Sequence, residues 1–243
     1  MERDFKTLGI VLGKRNVKDN DVILSLLTPD RGILSVYVYG VRKSARAVRA
    51  SLFTEGNFSL NKRSENGKVT LVDIDPLSFH EGVSQSLERM GWANLFSEMV
   101  LSGKSSDAAI YSLYTGALDA LESEDEDKAA IYFISRFMRF SGLYGDWRSC
   151  PVCQKKYGED EVLGFSLEAG NAVCHECDEM DGTLILPPSA RRYVARVSES
   201  SMEEAMSFII SKDMVHRISR YLLRTLRYSF PVHLNSLDSG LIM

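Results

Sequence analysis

The chain has 243 residues, of which 44% are hydrophobic and 26% are charged. This composition predicts a folded globular protein and excludes wholesale disorder. No apolar run approaches the roughly 18 residues of a transmembrane helix, and the N-terminal letters MERDFKTLGIVLGKR lack the apolar core of a secretory signal. The sequence therefore predicts a cytoplasmic protein without a membrane segment.

The formal net charge of −4 is unevenly distributed along the chain. Residues 1–80 hold 13 Lys and Arg against 9 Asp and Glu, whereas residues 81–243 hold 16 against 24. No acid lies between Asp30 and Glu55, where five Lys and Arg occur. A basic N-terminal module on an acidic remainder favours nucleic acid as a partner.

Residues 1–79 are predicted to form a β-barrel domain. Five apolar or β-branched runs follow one another: FKTLGIVLGKR, DVILSLLTP, GILSVYVYG, EGNFSLNKR and KVTLVDID. Asn66-Gly67 predicts a tight hairpin between the last two runs, and Pro29 and Gly32 mark an earlier turn. Five strands at this spacing are typical of the OB-fold.

Residues 80–243 are predicted to form an α-helical domain, which makes the fold class α+β. The stretches SQSLERMGWANLFSEMVLS and SSDAAIYSLYTGALDALES have apolar residues at helical spacing, the second with an N-cap at Ser106 or Asp107. The stretch KAAIYFISRFMRFSGLYG is apolar almost all round, which predicts a central buried helix. At least two more helices are expected from about Pro188 to Tyr228.

A cysteine-rich insert at residues 146–182 interrupts the helical domain. Its spacing is C-x2-C-x20-C-x2-C, and two such knuckles can bring four thiolates onto one ion in tetrahedral geometry. Four sulfur ligands leave no open coordination position, so we expect one structural Zn²⁺. His175 is a possible competing ligand, and four reduced core cysteines are the alternative interpretation. The expected ligands are Cys150, Cys153, Cys174 and Cys177.

The segment YGVRKSARAVRASLF connects the third strand to the fourth and contains no acid. Guanidinium groups pair with phosphates in a bidentate manner, so a short row of cations can follow a nucleic-acid backbone. The alternative is an ordinary solvated loop. The predicted DNA-binding residues are Arg42, Lys43, Arg46 and Arg49, extended by Lys14, Arg15 and Arg31.

Aromatic residues lie in or near the predicted strands of the barrel. Tyr37 and Tyr39 alternate along one strand, so they share a face on which bases can stack. Filling of the barrel core is the favoured interpretation for most of the four, which are Tyr37, Tyr39, Phe53 and Phe58.

An arginine stripe is predicted on one face of the last long helix, opposite an apolar face. Its members are Arg217, Arg220, Arg224 and Arg227. Because like charges at this spacing repel, we expect an acidic surface to stabilise the stripe. That surface can be internal, at Glu203, Glu204 or the ESEDED run, or can be the acidic tail of a partner; a solvated face is the alternative.

No enzyme motif is found in the sequence. SGKSS resembles the end of a phosphate-binding loop, but the first glycine of that pattern falls at Glu98. H-E-x-x-H, G-x-S-x-G and G-x-G-x-x-G are absent. A non-enzymatic binding protein is therefore favoured over a nuclease or another metal-dependent enzyme.

The order of these blocks resembles the RecO family of bacterial recombination mediators along most of the chain. The resemblance is carried by GIVLGKRNVKDNDVILSLLTPDRGILSVYVYGVRKSARAVRASLFTEGNF, RFMRFSGLYGDWRSCPVC, CHEC and the terminal LNSL. It assigns Arg42, Lys43 and Arg46 to Arg49 to the basic DNA-binding loop and the four cysteines to a zinc finger.

The resemblance implies a role in DNA repair and recombination. Members bind single- and double-stranded DNA through the OB-fold and anneal complementary strands. With RecR, and often RecF, they load RecA onto DNA coated by single-stranded-DNA-binding protein (SSB). Some contact the acidic SSB tail through the helical domain, which makes the arginine stripe a candidate contact. A nucleoid-associated location follows. The rival hypothesis is a zinc-stabilised interaction or transcription scaffold without annealing activity.

Overall fold

The computed structural model describes residues 4–18, 20–40, 49–62, 64, 67–103, 107–143, 147–180 and 182–242. Five strands form a closed barrel in the order β1-β2-β3-β5-β4, as in an OB-fold. All five lie where the apolar runs predict them. The strands are β1 (Asp4–Lys18), β2 (Asp21–Thr28), β3 (Gly32–Val38), β4 (Glu55–Lys62) and β5 (Val69–Ser78).

Strand pairing closes the barrel and fixes which side chains lie inside it. β1 pairs antiparallel with both β2 and β4, whereas β3 and β5 form a short parallel pair. The period of two places alternate residues inside, and Leu24, Leu26 and Val36 fill the interior with Phe58. At the β2–β3 turn, Gly32 has a φ of 66°, as the predicted turn requires. β4 and β5 pair antiparallel as predicted, although Asn66 lies outside the described residues.

Seven α-helices follow in the described part of the chain, and several begin at a side-chain cap. Asp107 accepts hydrogen bonds from the backbone N–H groups of Ala109 and Ile110 and starts the third helix. The helices are α1 (Glu81–Ser84), α2 (Leu87–Ser102), α3 (Ala108–Ser123), α4 (Glu126–Phe140), α5 (Pro188–Glu199), α6 (Met202–Ser207) and α7 (Lys212–Ser229).

Helix α4 is the centre of the helical domain. Every residue from Ala129 to Ser135 is buried, which confirms the helix predicted to be apolar on nearly all sides. Its Phe133 ring stacks on Phe96 of α2 with the ring centroids 4.1 Å apart. The same core continues to the barrel through Ile10 and Leu12, so the two parts share buried apolar contacts.

Between α4 and α5 the chain forms the cysteine-rich insert. Two short strands, β6 (Gly164–Ser166) and β7 (Asn171–Val173), pair as an antiparallel hairpin. None of the described helices is long and apolar enough to cross a membrane.

Candidate metal centre and nucleic-acid interface

Four cysteines converge at one end of the insert. The four Sγ atoms all lie within 4.8 Å of one another, and none of the four cysteines forms a disulfide. The Sγ atoms of Cys153 and Cys174 are 3.6 Å apart. Four sulfurs held at about 2.3 Å from one tetrahedral ion are separated by about 3.8 Å. The cluster therefore fits a single metal ion, as the spacing predicts.

The backbone of each knuckle is shaped by its own hydrogen bonds. In the first, the amide of Gln154 donates to the carbonyl of Cys150, and the amide of Cys150 donates to the carbonyl of Lys155. Gln154 has a φ of 63°, in the left-handed region where glycine is easiest to accommodate. In the second, a 3₁₀ turn at His175–Cys177 lets the Cys177 amide donate to the carbonyl of Cys174.

The thiols of the cluster differ in acidity. Burial raises the pKa of Cys150, but backbone N–H donors at Cys153, Cys174 and Val152 outweigh it and lower this pKa to about 7. The pKa of Cys174 and that of Cys177 are raised, first by desolvation and then by the neighbouring thiols. Desolvation and the neighbouring thiols thus oppose a thiolate at Cys174 and at Cys177. A divalent ion at the centre of the cluster would favour the thiolate form.

The β6–β7 hairpin returns the second knuckle to the first, as the twenty-residue spacing predicts. The Tyr157 hydroxyl donates to the carbonyl of Ala172 over 3.0 Å, and Arg191 of α5 donates to the carbonyl of Gly158 over 2.8 Å. These bonds fasten the insert internally and to the helical domain. His175 is exposed and does not belong to the four-residue cluster.

The basic segment lies only partly in the described chain. Arg42, Lys43 and Arg46 lie outside the described residues. Arg49 donates to the carboxylate of Asp73 over 2.8 Å and to the carbonyl of Ile74 over 2.9 Å. The guanidinium of Arg49 thus fastens the end of the segment to β5.

An aromatic and cationic surface lies where the basic segment begins. The rings of Tyr37 and Tyr39 stack with centroids 6.4 Å apart, and Tyr39 is 56% exposed. The Lys68 ammonium lies 4.3 Å from the centroid of the Tyr37 ring. Phe58 is buried in the barrel core, as predicted, whereas Phe53 is buried in the core that the barrel shares with the helical domain and Tyr39 is exposed.

Tyr39 and Lys68 border a groove of about 1180 Å³. The remaining lining is mixed in character. It comprises Asp4, Asn61, Gly67, Thr70, Leu71 and Val72. Lys68 was not predicted as a binding residue from the sequence. The available signal was its position directly before the fifth predicted strand.

The other predicted cations are placed at two ends of the barrel. Arg15 and Tyr37 both pair with Ile23 of β2, so they lie in one cross-strand row. Lys14 and Arg15 are exposed. Arg31 lies at the opposite end of the β2–β3 hairpin, with its guanidinium 3.2 Å from the Asp30 carboxylate and 4.5 Å from the Phe5 ring centroid.

The arginine stripe on α7 is exposed, and Val215, Ile218, Leu222 and Leu226 on the other face are buried, as predicted. Arg227 pairs with Asp238 at 2.7 Å, a partner not anticipated from the sequence. Arg224 donates to the carbonyl of Thr183. Arg217 and Arg220 make no ion pair with any residue in the described ranges. The ESEDED run instead contributes Asp127 to a 3.2 Å pair with His216.

Comparisons with known proteins agree along nearly the whole chain. A family model described as recombination protein O N terminal matches residues 1–78, and one described as recombination protein O C terminal matches residues 84–238. The DNA repair protein RecO of Dehalococcoides mccartyi strain 195 is 23% identical over 233 residues, covering 93% of this chain and 90% of that protein. The DNA repair protein RecO of Bacillus subtilis is 27% identical over 182 residues, covering 72% and 69%. The chain thus belongs to the recombination protein O family of DNA repair proteins.

Proposed function

We propose that this protein is a non-enzymatic recombination mediator that binds single- and double-stranded DNA and anneals complementary strands. With RecR, it helps to load RecA onto single-stranded DNA coated by SSB. The observation that carries the DNA-binding part is the groove at the start of the basic segment, which exposed Tyr39 and Lys68 both line. Base stacking and phosphate contacts of this kind bind single strands without reading sequence.

The mechanism follows from charge and stacking. Cations of residues 42–46 neutralise phosphates on two strands and so reduce the repulsion that slows their pairing. Tyr39 presents a ring on which a base can stack while its pairing edge stays free. Lys14 and Arg15 extend the surface at the same end of the barrel. Arg31 would contact a different part of a bound strand.

The metal at the cysteine cluster is proposed to be one Zn²⁺ held by Cys150, Cys153, Cys174 and Cys177. The four-sulfur donor set favours zinc among the divalent ions of the cell. With all four positions taken by sulfur, the ion stabilises the insert and leaves no position for a substrate.

Replacement of Tyr39 by leucine should weaken single-strand binding. Loss of one stacked base costs about 1–3 kcal/mol, which is roughly 5- to 150-fold in Kd. Tyr39→Phe keeps the ring and should bind nearly as well as the unmodified protein. Fluorescence anisotropy with a labelled oligonucleotide measures both. Equal losses in the two variants would remove stacking from the mechanism.

Arg217 and Arg220 of α7, which form no ion pair with the described part of the chain, are proposed to bind the acidic tail of SSB. Arg217→Ala with Arg220→Ala should weaken binding of a labelled tail peptide by a few-fold to about 30-fold, from up to about 1 kcal/mol per exposed ion pair. Arg227→Ala is the matched control because its guanidinium already pairs with Asp238. An unchanged Kd for the double variant would leave the stripe as a solvated face.

A further inference from the structure

A histidine is buried where the barrel joins the helical domain. His80 lies between the end of β5 and the start of α1, and its side chain is 0% exposed. Neither ring nitrogen has a hydrogen-bond partner among the described residues. A buried polar group without a partner costs about 1–3 kcal/mol. The two ring nitrogens of His80 therefore require a hydrogen-bond partner or a metal ion to offset this cost.

Three carboxylates surround this ring. Nδ1 lies 3.4 Å from Oε2 of Glu122 and 3.6 Å from Oδ1 of Asp119. On the other side, Nε2 lies 4.0 Å from Oε2 of Glu55 in β4. Asp119 and Glu122 are three residues apart in α3, so both side chains leave the same face of the helix.

The positions of these groups are set by other contacts. The amide of Gly82 donates to Oε1 of Glu122, which leaves Oε2 directed toward His80. The hydroxyl of Tyr111 donates to Oε1 of Glu55 over 2.7 Å. Three acidic side chains thus face an imidazole whose two nitrogens have no hydrogen-bond partner among the described residues.

We propose that His80, Asp119 and Glu122 bind a divalent first-row transition-metal ion, with Nδ1 and one oxygen of each carboxylate as ligands. These three atoms all lie within 4.8 Å of one another. Ligands about 2.0–2.2 Å from a tetrahedral ion are about 3.3–3.6 Å apart, and the two distances from Nδ1 match this range.

The donor set indicates the class of ion. An imidazole with two carboxylates suits Mn²⁺, Fe²⁺, Co²⁺ or Zn²⁺ better than Ca²⁺ or Mg²⁺, which prefer oxygen alone. Metal-binding histidines usually donate from the second ring nitrogen to a carboxylate, and Glu55 lies on that side of the ring, with its Oε2 4.0 Å from Nε2. Because Asp119 is exposed, water can reach the remaining coordination positions.

A bound ion would also connect the two domains. His80 belongs to the linker between them, Asp119 and Glu122 to the helical domain, and Glu55 to the barrel. We therefore expect metal binding to raise the temperature of unfolding. The competing arrangement, an imidazolium among the same carboxylates, predicts no added metal ion.

The test uses the full-length chain reconstituted with one Zn²⁺ at the cysteine cluster and then titrated with Mn²⁺, an ion that thiolate sites bind weakly. Bound Mn²⁺ is counted from the loss of the free-ion electron paramagnetic resonance signal. One Mn²⁺ per chain is expected. Asp119→Asn should weaken this binding at least tenfold, whereas Glu124→Gln, an exposed acid just after α3, should not change it.

His80→Asn provides a second variant because asparagine tolerates the left-handed backbone (φ 45°) found there. It should fold, lose Mn²⁺ binding and lose the metal-dependent rise in unfolding temperature. The absence of a Mn²⁺ equivalent in the unmodified protein, or equal Mn²⁺ affinity in Asp119→Asn and Glu124→Gln, would overturn the proposal. Neither readout depends on DNA binding.

Discussion

Replacing Cys150 by serine is expected to release one zinc ion per chain and unfold the cysteine-rich insert. A structural zinc site of this type supplies on the order of 10 kcal/mol of apparent binding energy, more than a hairpin of two three-residue strands can provide. Because Cys150 and Cys174 are fully buried, the variant without its ion also leaves a buried serine and a buried thiol without their metal partner.

The expected result has two parts that can be measured separately. Elemental analysis after dialysis reports the lost ion, and hydrogen exchange reports which amides lose protection. Residues 163–180 should exchange quickly, while β1 to β3 should stay protected because they pair within the barrel, a sheet separate from the β6–β7 hairpin. His175→Asn is the matched control, since this residue lies between two ligands but outside the cluster. Retention of zinc by Cys150→Ser, or equal loss in the control, would contradict the assignment.

Replacing Arg42, Lys43 and Arg46 together by alanine is expected to weaken single-strand binding regardless of sequence. Each phosphate contact adds about 0.7 to the slope of log K against log salt for single strands. The variant should therefore reduce the slope by up to about 2, measured by anisotropy from low to moderate salt. Arg49 is left unchanged because its guanidinium is bonded to β5.

A charge-matched control separates local contacts from the general loss of positive charge. Alanine at Lys156, Arg192 and Lys212 removes three exposed cations from the helical domain and insert. This control should keep the salt slope of the unmodified protein. If the alanine variant of Arg42, Lys43 and Arg46 keeps the salt slope of the unmodified protein, the segment is solvated and does not bind phosphate.

The sequence predicted those parts of the fold that depend on local patterns. The five strands follow from alternation and turn residues, and α4 is central because its surface from Ala129 to Ser135 offers almost no polar face. The four cysteines were predictable because C-x2-C knuckles bring their thiolates together through short-range geometry.

The parts that the sequence did not predict depend on long-range contacts. Lys68 and Tyr37 meet only because β3 and β5, which are not consecutive in the chain, pair as neighbouring parallel strands. The pairing of Arg227 with Asp238 requires the chain to return past the end of α7. The carboxylates around His80 come from β4 and α3, which are distant in the sequence, so no local motif predicts this cluster.

The most direct test of the mediator function is the rate at which two complementary oligonucleotides, each coated with cognate SSB, anneal in the absence of ATP. The protein should accelerate this reaction, and the alanine variant of Arg42, Lys43 and Arg46 should lose most of the acceleration while staying folded and zinc-bound. No acceleration by the folded, zinc-bound protein would contradict the mediator function and favour a zinc-stabilised interaction scaffold.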